Sequence, residues 1–165
     1  SKLHYAGRLV CQTRNPEGLE MILTDFFKLP VQVDTFVGHW LPLSEASRCR
    51  LGETPTTGLL GMTAVIGERV WDCQHRFRIV MGPMKLAEFQ RFLPGSDSLQ
   101  RLVAWVRNYI GDELLWDVNL ILRKEDVPPL QLGEGTRLGW TTWLSSQPPA
   151  RDADDPNPDA VTYCA

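Results

Sequence analysis

The apolar positions of this chain repeat with two periods, and each switch between them predicts an element. Leu19, Ile22, Leu23, Phe26 and Phe27 recur three and four apart. That is the spacing of one helix face, and it predicts an amphipathic helix over 16–28. Asn15 is placed to cap it, Pro16 suits its first turn and Pro30 ends it. A weaker helix is expected before it at 3–13, with Leu3, Ala6 and Val10 on one side. From Val31 the period falls to two. Val31, Val33, Thr35 and Val37 alternate with Gln32, Asp34 and Phe36, which predicts a strand over 31–40. Residues 41–68 follow no period apart from a short helical turn expected at 44–49. They hold the loop Gly52-Glu-Thr-Pro-Thr-Thr-Gly58. Long irregular stretches inside compact domains are often functional.

Alternation returns over 75–82, where Phe77, Ile79 and Met81 oppose Arg76, Arg78 and Val80, and His75 shares the Phe77 face. Gly82-Pro83 ends that strand. A helix over 85–93 follows, with Leu86, Phe89 and Leu93 facing one way. After Pro94-Gly95, Ser96 or Asp97 can cap a helix over 98–110. Leu99, Leu102, Val103, Val106 and Ile110 form its stripe and Gly111 its end. A strand over 114–123 sets Trp116, Val118, Leu120 and Leu122 against Asp117, Asn119, Ile121 and Arg123. Beyond Pro128-Pro129, the run Trp140-Thr-Thr-Trp143-Leu144 predicts a short aromatic strand. Helices and strands come in groups rather than strict alternation, so the expected class is α+β, with short antiparallel strands in one domain over 1–144. Residues 145–165 hold four prolines and four aspartates and read as a flexible, acidic, Pro-rich tail.

Composition narrows the function classes. In 165 residues, 43% hydrophobic and 22% charged, there is enough apolar material for a core without disulfide staples. The 17 basic and 20 acidic residues are unevenly placed: from Arg151 onward there are four Asp and one Arg, which leaves 1–150 neutral. A neutral body with an acidic tail is a poor nucleic-acid binder, because phosphate neutralisation needs a clustered basic excess. No apolar run approaches the roughly 18 residues of a spanning helix, so no direct membrane insertion is expected. No charged-then-apolar leader is read, and the opening Ser fits a processed chain or a fragment of a longer one. Cys11, Cys49, Cys73 and Cys164 form no CxxC pair, and they read as reduced thiols of a cytosolic protein.

Candidate chemistry is sparse. There is no Gly-x-Ser-x-Gly elbow, no phosphate-binding glycine loop and no spaced pair of metal-ligating motifs. Asp72, Cys73 and His75 are the densest ligand group, but neighbours on one strand point to opposite faces. No metal or cofactor site is expected. The Trp71-Asp72 and Trp116-Asp117 dipeptides mimic a propeller repeat, yet two helices fall between them. Trp40, Trp71, Trp116, Trp140 and Trp143 sit on or beside expected strands. A Trp-rich core accounts for them. So does partner contact, because Trp and Arg are favoured interface anchors.

Several runs, in order, resemble one family. They are Glu17-Gly-Leu19 through Phe27, Phe36-Val-Gly-His-Trp40-Leu-Pro-Leu43, Gly67-Glu-Arg-Val-Trp-Asp72 and Phe77-Arg-Ile-Val-Met-Gly-Pro83-Met. Tyr109-Ile-Gly-Asp-Glu-Leu114 and Arg137-Leu-Gly-Trp140-Thr-x-Trp-Leu144 continue the series. Together they resemble the C-terminal region of TssG, a type VI secretion baseplate family, over about residues 3–144. The resemblance implies a non-enzymatic wedge subunit without cofactor. It also implies a scaffold for TssF-like and TssK-like partners, in a baseplate at the cytoplasmic face of a Gram-negative inner membrane. Members of the family are longer, and the part missing here is expected to be N-terminal. The family brings no catalytic residues. The partner-binding candidates are Trp40, Trp71, Trp140, Trp143 and Arg78, with Thr56 and Thr57 in the irregular loop. The alternatives are a small ligand-binding domain with an aromatic pocket, or a thiol-dependent enzyme using Cys73 and His75.

Overall fold

The computed structural model describes residues 2–11, 13–50, 58–59, 61–128, 137, 139–143, 152 and 162–163. The chain divides into two compact units. One comprises residues 1–35 with 77–165, the other residues 36–76.

The larger unit begins with a 3-10 turn and a short helix, α1 (Ala6–Val10). Leu3 and Val10 are exposed, and it is Tyr5 and Leu9 that pack on the core, so the buried side of this segment is not the one the apolar spacing suggests. Helix α2 (Pro16–Phe27) forms as expected. The Gly18 N–H donates to Asn15 Oδ1 (3.3 Å), and Lys28, in the left-handed region, closes the last turn on the Thr24 carbonyl (2.9 Å). Leu19, Ile22 and Leu23 are buried. Gly18 is needed for space. A Cβ there would run into the Tyr109 hydroxyl, which donates to the Asn15 carbonyl (3.0 Å).

The four-stranded sheet of this unit has the order β1-β4-β5-β6, from β1 (Val31–Asp34), β4 (Arg76–Met84), β5 (Leu115–Leu122) and β6 (Thr162–Tyr163). β1 lies antiparallel to β4, with Val33 opposite Ile79, and β6 antiparallel to β5, with Tyr163 opposite Trp116. β4 and β5 differ. Arg78 meets Asp117, 39 residues on. Gly82 lies against Ile121, and the Arg123 N–H donates to the Met84 carbonyl, at that same separation. A constant separation means parallel strands, where the sequence reading has antiparallel ones. Helices α3 (Leu86–Gln90) and α4 (Asp97–Ile110) make the crossover that a parallel pair requires. Gly82 has φ +130°, and a Cβ there would collide with the Ile121 carbonyl. Only glycine lets the two strands pass this closely.

Ser96, rather than Asp97, caps α4 by accepting from the Leu99 N–H (3.3 Å). The helix buries Leu99, Leu102, Trp105, Val106 and Tyr109. Val103 and Ile110 of the expected stripe are only partly buried, because the larger rings of Trp105 and Tyr109 occupy the inward positions. α3 is shorter than the expected 85–93, and turns continue to Leu93, burying Phe92 and Leu93 as well as Phe89. The expected aromatic strand at 140–144 is instead a turn over its described residues. The Trp140 and Thr141 N–H groups both reach the Arg137 carbonyl. The hydroxyls of Thr141 and Thr142 accept from the Arg137 and Gly139 N–H groups (2.9 and 3.2 Å). Threonine side chains that bond the local backbone favour such turns over a ladder. Within the expected tail, Thr162–Tyr163 forms the edge strand β6, and Asp152 accepts from the Lys124 N–H (3.1 Å).

The unit 36–76 holds β2 (His39–Pro42) and β3 (Arg69–Asp72), an antiparallel two-stranded sheet with Trp40 opposite Trp71. The expected strand over 31–40 is therefore two strands. Phe36, at φ +60°, breaks the extended run, and the halves join different sheets. A 3-10 turn at Glu45–Ser47 lies within the predicted helical turn.

Candidate partner-binding surface

Unit 36–76 differs from its neighbour in what it buries. Among the described residues none within 36–76 is buried, whereas every buried core side chain belongs to the larger unit. Eight of the eleven large apolar side chains exposed among the described residues lie in 36–76, including Phe36, Trp40, Met62, Ile66 and Trp71. A two-stranded sheet is marginal in water on its own, and exposed apolar side chains gathered in one segment are what a partner can cover.

Trp40 and Trp71 face each other across the β2–β3 ribbon. They are 58% and 54% exposed, and their rings meet edge to face at 5.3 Å and 71°. The side chains on one face of a ribbon alternate, so Pro42 and Arg69 share the face of the two tryptophans. Trp71 lies so close to Gly38 that a Cβ there would overlap the indole ring. The glycine therefore sets how the ring rests. On the other face, His39 pairs in register with Asp72, at 3.8 Å between Nδ1 and Oδ2.

Asp72 accepts from the His75 N–H (3.2 Å) and meets His75 Nδ1 at 3.0 Å. Partial burial works against its charged form, but the hydrogen bonds from the His75 ring and from the His75 and Gln74 backbone outweigh it and hold the carboxyl below its ordinary value. A lowered carboxyl stabilises the fold above the ordinary value of 3.8, and that contribution is lost as pH falls through the folded value. Asp72→Asn is therefore expected to be less stable than the wild type at neutral pH, with the gap closing in acid. Urea midpoints measured across pH check this, and a gap independent of pH would contradict it.

The other candidates are dispersed. Trp140 and Trp143 are half-buried against the core of the larger unit, where Trp143 meets Phe89 edge to face at 5.6 Å. Arg78 grips Asp117 with two hydrogen bonds. Thr56 and Thr57 lie outside the described residues. His75 sits in a bend before β4 rather than on the Phe77 face, and its side chain is 61% exposed. Among the described residues no hydrogen bond joins it to Cys73. No group of three His, Cys, Asp or Glu among the described residues is arranged to hold a metal ion. Cys11, Cys49 and Cys73 are free thiols. Among the described residues no helix is long and apolar enough to cross a membrane.

Residues 1–145 match the family described as "Type VI secretion, TssG". The chain belongs to the TssG family. The fold agrees with two solved type VI secretion baseplate assemblies. One is the TssK-TssF-TssG baseplate subcomplex of a type VI secretion system, solved by cryo-electron microscopy. It matches with a TM-score of 0.71 at 20% identity, over 94% of this chain and 65% of that one. The other is a type VI secretion baseplate complex, matching with a TM-score of 0.53 at 21% identity, over 92% of this chain and 44% of that one. The chain thus spans less than two thirds of the length of either matched chain, 65% of the first and 44% of the second. No curated protein sequence matches it. Sequence reasoning marked Trp40 and Trp71 but missed β3 and the bare apolar character of 36–76. The signal available was the density of Phe, Trp, Leu, Met and Ile in a stretch without period.

Proposed function

We propose that this TssG-family chain is a structural, non-enzymatic baseplate subunit that joins TssF-like and TssK-like partners by burying apolar surface. The observation that carries the reading is the unit 36–76, with its exposed aromatic and aliphatic side chains and no buried residue among those described. Assembly interfaces of this class are large and apolar, and a partner would supply the cover this unit lacks. Trp40 and Trp71 are the primary contacts in this reading, with Thr56, Thr57, Trp140, Trp143 and Arg78 secondary. Residues 1–144 act as the docking body and 145–165 as an acidic tail outside the contact. The subunit works at the cytoplasmic face of the inner membrane, held there by the assembly rather than by insertion.

The test is co-expression with TssF-like and TssK-like proteins, followed by purification at about 0.5 M salt, where exposed charge pairs are largely screened. A stoichiometric complex that survives is the expected result. Capture of neither partner would overturn the reading.

A further inference from the structure

The described strand edges of this protein are not equally open. In β1, the Val33 N–H points away from β4 and donates to Glu20 Oε1 at 2.7 Å, so a helix side chain closes that edge. In the ribbon, the Leu43 N–H donates to the Glu68 carbonyl (2.8 Å). Hydrogen-bonded and non-bonded pairs alternate along an antiparallel ladder. The register then makes Trp40–Trp71 and Pro42–Arg69 the non-bonded pairs, whose backbone groups face outward. On the β2 side, Pro42 has no N–H to offer and blunts the edge. On the β3 side, Arg69 and Trp71 each turn out an N–H and a carbonyl. Among the described residues no hydrogen bond reaches these groups.

We propose that the outer edge of β3 receives an extended strand from a baseplate partner, a β-augmentation that rests on the scaffold reading above. The side chains beside that edge define the strand. Arg69 is exposed and has no ion-pair partner among the described residues, so it favours a carboxylate next to it. Trp71, on the same face and 54% exposed, favours a bulky apolar side chain. In the antiparallel arrangement the incoming segment reads apolar, any residue, acidic. The added strand would form main-chain bonds to Arg69 and Trp71 and bury the tryptophan face, which joins backbone affinity to side-chain specificity.

Arg69→Pro removes one outward N–H without touching a bond of the β2–β3 ladder, while Arg69→Ala removes only the charge. Hydrogen–deuterium exchange of 69–72, in the 165-residue chain alone and in the co-expressed TssF/TssK complex, reports on the edge directly. The expected result is slowed exchange of the Arg69 and Trp71 amides in the complex only. Arg69→Pro should weaken partner capture at least about tenfold, and Arg69→Ala by less. Unchanged Val70 and Asp72 exchange in the free Arg69→Pro chain confirms an intact ribbon. If that ribbon is lost, the exchange comparison in the wild type decides. A wild-type complex in which the Arg69 and Trp71 amides exchange as in the free chain would overturn strand addition and leave the scaffold reading standing. Protection already present in the free chain would assign the edge to the chain itself or a second copy, and would equally overturn it. Capture of neither partner by the wild type would remove both.

Discussion

Arg78→Leu is expected to destabilise the larger unit by about 3–5 kcal/mol, the usual cost of breaking one side of a buried ion pair. The Asp117 side chain is wholly buried in β5. Arg78, in the adjacent parallel strand, approaches it with Nε at 2.7 Å from Oδ1 and Nη2 at 2.9 Å from Oδ2. This fork-to-carboxylate geometry fixes distance and orientation together. Without the guanidinium, a carboxylate removed from water loses its matched counter-charge. Replacing both residues by Leu removes the charge as well as its partner, so the double variant is expected to recover most of the loss. Urea unfolding of the two singles and the double makes the cycle. A single-variant loss below about 1 kcal/mol, within the range of an exposed pair, would show that Asp117 does not depend on Arg78. Asp117 and Arg78 also tie β4 to β5 at the point where β6 joins the sheet. The arginine's first task is thus internal, although the sequence pattern alone puts it on an outward face.

That contrast shows which parts of the structure were legible in the sequence. Helices α2 and α4, with Asn15 and Ser96 as caps, depend on residues within a few positions of each other, and local patterning captured them. Strand partners depend on distant residues. The alternation of Val31, Val33 and Val37 is continuous, yet the chain turns at Phe36 and its halves enter different sheets. The parallel β4–β5 pair follows from a crossover, and no residue of either strand announces it. Within the expected aromatic strand, the Thr141 and Thr142 side chains bond the local backbone instead. The same division applies to the site. High Trp content singled out Trp40 and Trp71, but residue type alone could not separate them from Trp140 and Trp143, which pack on the core. The open β3 edge was hidden entirely, because it depends on the register that makes Trp40–Trp71 a non-bonded pair.

Trp40→Ala with Trp71→Ala is expected to abolish recovery of the partner complex while leaving the larger unit folded. Buried tryptophans at the centre of an interface commonly cost about 2 kcal/mol or more when truncated, roughly thirtyfold in affinity each. Two together would carry the complex below the concentrations of a pull-down. The exposure of both rings argues that their loss does not damage the core, since neither belongs to the buried cluster of the larger unit. The two positions are not equivalent. Trp71 rests on Gly38 and so helps hold its own ribbon, whereas Trp40 contributes its ring mainly to the exposed face. Trp40→Ala alone is therefore the cleaner probe of binding, and Trp40→Phe should retain part of the affinity by keeping an aromatic edge toward Trp71. Far-ultraviolet circular dichroism and an unfolding free energy from urea titration within about 0.5 kcal/mol of the wild type, the range of surface changes, would certify the fold. Undiminished complex recovery by the folded double variant would remove these rings from the interface. The contact would then lie elsewhere, with Trp140 and Trp143 on the larger unit as the next residues to test.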